Sequence, residues 1–324
     1  MTDPAARGHD LRRRLRRPGD ALPRASIGTV PILWNNVDLT DLAPETAPLT
    51  VLDEISRTGY EGTQEGRAFP TGPALREALA TRGLRLAEVY AALPVTQDGP
   101  TDDALEVGRQ RLAVLLDGDG DVLVAALDGT PERSRASGRA TDPDVPRLTD
   151  AGWQRLAAVV DRLAAETVAA AKRFAWHPHT GTYVETPDEL ERLAEATDPS
   201  TVGICLDVGH WIVGGGDPVH ALDRYGARVT HLHLKDVDPD VVAGMRSGDV
   251  PDFEAALRRR VFTELGAGCL DLTGVLHALA DRDFDGWLMV EQDTSWGPPS
   301  ESAAIGRRVL ANELRRLGCG AAGG

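Results

Sequence analysis

The chain has too few cysteines and too little apolar continuity for several classes of protein. Its 324 residues include only three cysteines, Cys205, Cys269 and Cys319. They are odd in number and widely spaced, which fits neither a disulfide framework nor a zinc-finger spacing, so we expect reduced thiols. No run of about 18 apolar residues is present for a membrane helix, and the N-terminal residues lack the apolar segment of a secretory signal. The sequence therefore predicts a cytoplasmic protein without a membrane partner.

Positive charge is also scarce. Lys and Arg number 35 against 50 Asp and Glu, which gives a formal net charge of −15. Nucleic-acid binding normally requires a cationic surface that displaces counterions from phosphate, so no DNA or RNA partner is expected. The basic residues cluster once, within residues 7–24. We interpret residues 1–24 as a disordered, flexible basic arm, rather than a nucleic-acid or lipid arm, whose removal should preserve fold and turnover.

The chain does contain a regular alternation of short apolar runs and longer amphipathic segments. Eight candidate strands cover residues 25–34, 59–66, 84–93, 121–127, 172–179, 202–209, 228–236 and 286–293. Eight segments with helical periodicity lie between and after them, at residues 49–58, 73–82, 102–116, 149–172, 186–196, 218–225, 272–280 and 301–317. This pattern predicts the α/β class with a single (β/α)8 TIM barrel as the catalytic domain, residues 25–320. A doubly wound open sheet is the alternative, but no G-x-G-x-x-G motif follows the first strand.

Two long segments interrupt the alternation. Residues 128–150 follow the fourth candidate strand, and residues 237–269 follow the seventh. Both leave the C-terminal ends of strands, where TIM barrels build their active sites. We therefore expect them to form walls or lids over a pocket, with ordinary surface loops as the alternative.

Histidines and carboxylates concentrate at the ends of the last four candidate strands. The residues are His177 and His179 in the fifth, Asp207 and His210 at the end of the sixth, His231, His233 and Lys235 in the seventh, and Glu291 in the eighth. The ends of the strands converge on one mouth of a closed barrel. Imidazole and carboxylate together, with no thiolate in the proposed ligand set, suit a divalent ion such as Mn, Co, Fe, Zn or Mg. The pattern predicts a metal-dependent enzyme.

The seventh strand indicates which way these side chains face. Side chains two residues apart share a face of a strand, so Leu232 and Leu234 should point outward to the helices while His231, His233 and Lys235 point into the barrel. Buried polar groups are costly without partners. One shared site explains the whole set better than a separate structural role for each residue.

Seven stretches carry a family resemblance that spans nearly the whole chain after residue 25. They are PILWNNVDL (31–39), VLDEISRTGYEGTQEG (51–66), HPHTGTYVET (177–186), CLDVGHWIVGGGDP (205–218), THLHLKDV (230–237), VFTELGAGCLDLTGVL (261–276) and DGWLMVEQD (285–293). Through them the chain resembles the xylose isomerase-like barrel superfamily of sugar isomerases and epimerases, and most closely its inosose dehydratases.

The resemblance implies a divalent metal held at the ends of strands five to eight. Members typically use an acidic residue, Asp, His and an acidic residue in that order, which carries over to Asp207, His233 and Glu291. Strand five departs from the pattern, because His177 stands where glutamate is usual. By likeness to the Glu-Pro-Lys of xylose isomerases, His177 would bind the metal and His179 would contact substrate; the reverse assignment is the alternative.

The resemblance also implies a lyase that removes water from a polyhydroxylated ketone, such as 2-keto-myo-inositol or a related keto-sugar or keto-cyclitol, through an enediolate. The expected catalytic residues are His179, His210, Lys235 and Glu65, and the expected substrate contacts are Trp34, Asn35 and Trp211. One of the two histidines or the glutamate would be the base, another of them the acid, and the lysine would steady the oxyanion. Dehydratases tend to place the glutamate one residue earlier than position 65.

Several other activities remain as alternatives. A sugar isomerase or epimerase and a 3-keto-glycoside lyase share the same first step, the removal of an α-proton. A non-catalytic binding barrel and a nuclease are rivals from other classes, and the negative charge together with too few ligands for a three-metal cluster disfavours the nuclease. The expected partner is a small-molecule substrate, with a homo-oligomer as an open alternative.

Overall fold

Eight short parallel strands close into a barrel around the polar residues predicted to face inward. The computed structural model describes residues 21–321. The strands are β1 (Ser26–Thr29), β2 (Gly62–Gln64), β3 (Arg85–Leu93), β4 (Val122–Leu127), β5 (Arg173–Trp176), β6 (Gly203–Asp207), β7 (Val229–Leu234) and β8 (Trp287–Val290). Each pairs in parallel with its neighbours in sequence, and β8 pairs with β1. The predicted TIM barrel is confirmed.

Helices surround the barrel and also build the two insertions. They are α1 (Pro48–Arg57), α2 (Gly72–Ala80), α3 (Ala104–Asp117), α4 (Pro131–Ser134), α5 (Asp150–Ala169), α6 (Pro187–Ala196), α7 (Val208–Val213), α8 (Pro218–Tyr225), α9 (Pro239–Ser247), α10 (Phe253–Arg258), α11 (Leu272–Ala280) and α12 (Pro299–Ala321). Among the residues that the structure describes, none of these helices is long and apolar enough to cross a membrane.

Among the strands that end earlier than their apolar patterns predict, two stop within two residues of a proline. Strand β1 stops at Thr29, and Pro31 begins a short 3-10 turn. Strand β5 stops at Trp176, so His177 and His179, on either side of Pro178, belong to the following loop rather than to the strand. Proline lacks the N–H that a strand ladder needs. The conformation of the loop, not strand alternation, therefore determines which way the two histidine side chains point.

The core has an outer layer between strands and helices and a smaller cluster inside the barrel. Leu232 and Leu234 are fully buried in the outer layer together with Leu276 of α11, as predicted for the outward face of β7. Val124 and Met289 belong to the inner cluster. The polar half of β7 therefore faces the barrel axis.

The two insertions are anchored to each other and to the loop after β5. Within 128–150, the fully buried Arg133 forms two hydrogen bonds, of 2.8 and 3.0 Å, with the carboxylate of Glu189, the residue that also completes the N-terminal capping box of α6. Arg139 Nε donates to the Met245 carbonyl in the second insertion at 3.0 Å. These contacts hold both segments over the C-terminal ends of the strands.

The folded chain begins earlier than the predicted arm boundary at residue 24. Residues 1–20 lie outside the described residues, but Leu22 is only 5% exposed and belongs to the outer core. The Ala21 N–H donates to the Leu314 carbonyl of α12 at 3.3 Å. The expectation of a dispensable arm is therefore kept for residues 1–20 alone.

Replacing Leu22 with Ala tests this boundary. The change should lower the free energy of unfolding by about 2–5 kcal/mol, because it removes buried methyl groups and leaves a cavity. Urea unfolding of the full chain measures the effect. Leu49→Ala is the matched control, since that side chain on α1 is 48% exposed and should change stability by less than about 0.5 kcal/mol. Equal midpoints for wild type and Leu22→Ala would place residue 22 outside the folded domain.

Candidate active site

The four predicted metal ligands converge at the C-terminal mouth of the barrel. His177 Nε2 and His233 Nδ1 each lie 3.7 Å from Asp207 Oδ2, and His233 Nδ1 lies 2.7 Å from Glu291 Oε2. The side chains of all four are at most 9% exposed. The separate strand ends therefore build one buried cluster.

Three of the converging atoms fit a bound cation. Asp207 Oδ2, His233 Nδ1 and Glu291 Oε2 are buried and have no hydrogen-bond partner among the described residues. These residues form a group whose ligand atoms all lie within 4.8 Å of one another. Burying such atoms without partners is costly, and oxygen together with imidazole nitrogen is a donor set that divalent ions accept. The residues fit a divalent ion, whose identity the donor set leaves open.

The two carboxylate oxygens of Asp207 have different roles. Oδ1 accepts from the His210 N–H at 2.8 Å and thereby caps the N-terminus of α7. Oδ2 is left to face the cluster. The cap also places His210 one helical turn beyond the end of β6, beside the other histidines.

Backbone carbonyls determine the tautomers of the two histidines after β5. His177 Nδ1 lies 2.8 Å from the Pro178 carbonyl oxygen, and His179 Nδ1 lies 2.8 Å from the Thr180 carbonyl oxygen. A carbonyl only accepts, so Nδ1 donates in both rings and Nε2 carries the lone pair. This favours His177 as a ligand through Nε2, the atom that faces Asp207, and leaves His179 Nε2 as a proton acceptor.

Lys235, one of two lysines in the chain, lies among three carboxylates. Its Nζ is 2.7 Å from Asp293 Oδ1, 3.3 Å from Glu291 Oε1 and 3.4 Å from Asp207 Oδ2. Burial alone would lower the pKa of Lys235, but the three carboxylates hold that pKa well above its usual value. The residue is therefore a permanent buried cation, and its ammonium also lies 4.4 Å from the centroid of the Phe262 ring.

His210 accepts a hydrogen bond from this cation. Its Nε2 lies 3.1 Å from Lys235 Nζ, and its Nδ1 lies 2.8 Å from Thr180 Oγ1. An ammonium only donates, so Nε2 accepts and Nδ1 carries the hydrogen. Burial, with His179 nearby, lowers the pKa of His210 well below its usual value. Burial, with His177 nearby, lowers the pKa of His179 to about 3, so both rings are neutral at physiological pH.

The insertion 237–269 forms one wall of this site, as its position in the sequence predicted. The Phe253 ring centroid lies 5.9 Å from those of His179 and His210, and the Phe262 centroid lies 4.9 Å from that of His210. These aromatic side chains limit water at the histidine pair.

Glu185 links the loop after β5, which carries His177 and His179, to the insertion 128–150. Its Oε1 accepts from the Gly138 N–H at 2.8 Å, and its Oε2 accepts from the Gly181 N–H at 2.7 Å. Gly181 has a φ of +81°, a left-handed conformation that favours glycine. Burial raises the pKa of Glu185 to about 7, although the two N–H donors lower it.

The structure places Glu65 and Trp34 in contacts of their own, and their predicted roles in catalysis and substrate binding stay predictions. The Glu65 carboxylate forms an ion pair with Arg111 of α3 at 2.7 Å. The 3-10 turn at Pro31 directs Trp34 into the outer core, where its Nε1 donates to Glu54 of α1 at 2.6 Å.

Asn35 and Trp211 likewise make contacts within their own loops, and their expected role in substrate binding stays a prediction. The Asn35 side chain makes two hydrogen bonds with the backbone of Thr46, at 2.9 and 2.7 Å, and so holds its own loop together. Trp211 Nε1 donates to the Asp217 carbonyl at 3.1 Å, and its ring packs against Tyr225. Both side chains stabilise loops.

Sequence reasoning missed three residues of the site. Asp293 lies two residues after Glu291, and Cys205 lies two residues before Asp207, so the spacing that shares a strand face signalled both. Glu88 was visible as a lone acid within the apolar strand β3. Burial raises the pKa of Asp293 to about 7, although Lys235 lowers it.

Cys205 also corrects the expectation that no thiol lies near the ligands. It is fully buried and belongs to a group with His177 and His233 whose ligand atoms lie within 4.8 Å of one another. Cys205 and Cys269 are both free, as predicted, and the side chain of Cys319 lies outside the described ones.

Comparison with known proteins agrees with the barrel fold. A family model described as "Xylose isomerase-like TIM barrel" matches residues 52–313. An inosose dehydratase of Geobacillus kaustophilus is 33% identical over 299 residues, covering 90% of this chain and 95% of that protein. An L-ribulose 3-epimerase structure superposes with a TM-score of 0.68 at 17% identity, covering 90% and 95% of the two chains. The IOLI protein, solved with a binding zinc atom, superposes with a TM-score of 0.65 at 14% identity, covering 90% and 99%. At these identities the two structures support the fold alone.

The raised pKa of Glu185 predicts a pH dependence of stability. An unfolded glutamate titrates near 4.3, so between about pH 4 and 7 the folded chain binds more protons than the unfolded one. This contribution, roughly 4 kcal/mol at most, is present below pH 4 and lost as the pH rises through about 7. The melting temperature of wild type should therefore fall between pH 5 and 8 more steeply than that of Glu185→Gln. Parallel curves for the two proteins would show that Glu185 stays ionised.

Proposed function

The chain belongs to the xylose isomerase-like TIM barrel family, and we propose that it is a metal-dependent hydro-lyase acting on 2-keto-myo-inositol or a related keto-cyclitol or keto-sugar. The observation that carries the proposal is the combination at one mouth of a cation-binding cluster, a neutral histidine and a buried ammonium. The inosose dehydratase relative at 33% identity supports the choice of a cyclitol substrate. The cytoplasmic location and the homo-oligomer stay predictions.

The cluster and the bound ion would make the α-proton of the ketone acidic enough to remove. A divalent ion held by His177, Asp207, His233 and Glu291 supplies charge stabilisation for an enediolate. Without such stabilisation the carbon acid is too weak for a histidine base. The ion would be Mn or Co, or alternatively Mg, Fe or Zn, all of which accept this donor set.

His179 is the better placed of the two candidate bases. Its Nδ1 donates to a backbone carbonyl, so its Nε2 lone pair is available to take the α-proton. The corresponding atom of His210 already accepts from Lys235 at 3.1 Å. We therefore assign the base to His179.

The Lys235–His210 pair stabilises the negative charge that develops on the substrate when the α-proton is removed. The Lys235 ammonium donates to an oxygen that gains negative charge as the enediolate forms, because it is a fixed cation with three donors. His210, held between that ammonium and Thr180, keeps the lysine oriented. The proton that His179 takes from the α-carbon is returned by the same ring to the leaving hydroxyl, so that the C–O bond breaks and water departs.

The direct test is turnover of 2-keto-myo-inositol by protein loaded with Mn²⁺ or Co²⁺. A dehydratase yields a diketone, visible as a new enol chromophore, and chelation of the ion abolishes it. An epimeric sugar as product would make the chain an isomerase or epimerase, and release of an aglycone from a 3-keto-glycoside would make it a glycoside lyase. Metal binding without turnover of any keto-sugar would leave a binding barrel.

Replacing His179 and His177 in turn separates proton transfer from metal binding. His179→Ala should keep the metal and lose about 10²- to 10⁴-fold in turnover, the usual contribution of a positioned base, together with solvent deuterium exchange into the substrate. His177→Ala should lose metal as well as activity. His220→Ala, an exposed histidine on α8, is the control and should resemble wild type. Loss of metal from His179→Ala with retention in His177→Ala would reverse the two roles.

A further inference from the structure

A fully buried carboxylate contacts the metal-ligand histidine from the side away from the cluster. Glu88 lies on β3 inside the barrel, and its Oε2 is 3.0 Å from His233 Nε2, across 145 residues of sequence. The same oxygen contacts His231 Nε2, two residues earlier on β7. Glu88, His231 and His233 are all at most 2% exposed.

This contact determines which nitrogen of His233 carries the hydrogen. A carboxylate only accepts, so a hydrogen bond at 3.0 Å requires the hydrogen on Nε2. Nδ1 lies 2.7 Å from Glu291 Oε2 and 3.7 Å from Asp207 Oδ2, so it faces carboxylates as well. When an ion binds among these atoms, Nδ1 gives it the lone pair, and the one hydrogen left on the ring stays on Nε2. With the hydrogen on Nδ1 instead, lone pairs of Nε2 and Glu88 would face each other in a buried space.

We propose that Glu88 is a positioning residue of the metal site: it holds His233 in the Nε2–H form and aims Nδ1 at the ion, while His231 braces Glu88 from its other side. The inference rests on the metal site of the proposed function. It extends that site to β3, a strand that carries none of the four ligands. Carboxylates that orient a ligating histidine in this way also raise its basicity.

Metal affinity is the readout. Loss of such a carboxylate weakens metal binding by about 10- to 100-fold. Glu88→Gln keeps a hydrogen-bond acceptor but loses the charge, so it should weaken Co²⁺ binding by about 10-fold. Glu88→Leu loses both, and it should weaken binding toward about 100-fold. Titration against a chromophoric chelator gives the Kd, and the visible absorption spectrum of bound Co²⁺ should shift in both variants.

A matched control separates positioning from general disturbance of the barrel interior. Val124→Ala opens a cavity in the inner cluster and removes no hydrogen-bond or ion-pair partner of His233. It should lower the melting temperature and leave the Co²⁺ affinity and spectrum unchanged. Wild-type affinity and spectrum in both Glu88 variants would overturn the proposal.

A measurement on the unaltered protein keeps the proposal testable if the Glu88 variants fail to fold. In Zn²⁺-loaded wild type, long-range ¹H–¹⁵N correlations of His233 should show the hydrogen on Nε2; a hydrogen on Nδ1 would overturn the inference. Failure of wild type to bind any divalent ion would remove the proposed metal site itself. Binding without turnover of keto-cyclitols would contradict the proposed reaction and leave the role of Glu88 to be judged by affinity and spectrum.

Discussion

The rest of the site depends on how the negative charge buried at the barrel mouth is balanced. Asp207, Glu291 and Asp293 lie within 3.4 Å of one ammonium, that of Lys235. Each buried ion costs several kcal/mol unless it is paired with good geometry, and one lysine cannot neutralise three carboxylates. The divalent ion proposed above would complete the balance, and three buried atoms without a hydrogen-bond partner in the described chain are placed to bind it, namely Asp207 Oδ2, His233 Nδ1 and Glu291 Oε2.

The barrel makes this concentration of charge tolerable by surrounding it with well-packed apolar layers. On β7, the outward residues Leu232 and Leu234 join the outer core, while His231 and His233 face the axis. Because successive side chains of a strand face opposite sides of the sheet, the polar residues of β7 lie inside the barrel and its apolar residues lie outside. Partners on other strands, above all Glu88 on β3, satisfy those polar residues at a depth that water does not reach.

The strand count and the gathering of polar side chains at the barrel mouth could be predicted from the sequence. Eight apolar runs predict eight strands, and a closed barrel brings the C-terminal ends of its strands together, which places Asp207, His233 and Glu291 within reach of one another. Local spacing says nothing about contacts across the barrel, so the partner of His233 on β3 was missed. It also fails beside proline: the turn at Pro31 directs Trp34 away from the pocket where a continued strand was predicted.

The proposed choice of His179 over His210 as the base depends on hydrogen-bond partners, not on position. His179 and His210 lie with ring centroids only 3.9 Å apart, and burial lowers the pKa of each, so neither proximity nor basicity distinguishes them. A carbonyl accepts from Nδ1 of His179, whereas an ammonium donates to Nε2 of His210. The first contact leaves the Nε2 lone pair of His179 free for the substrate, whereas the second occupies the Nε2 lone pair of His210. Within this family the same cluster can therefore serve dehydration or epimerisation, because the ion and the first base can be shared while the groups around the leaving hydroxyl decide whether it departs.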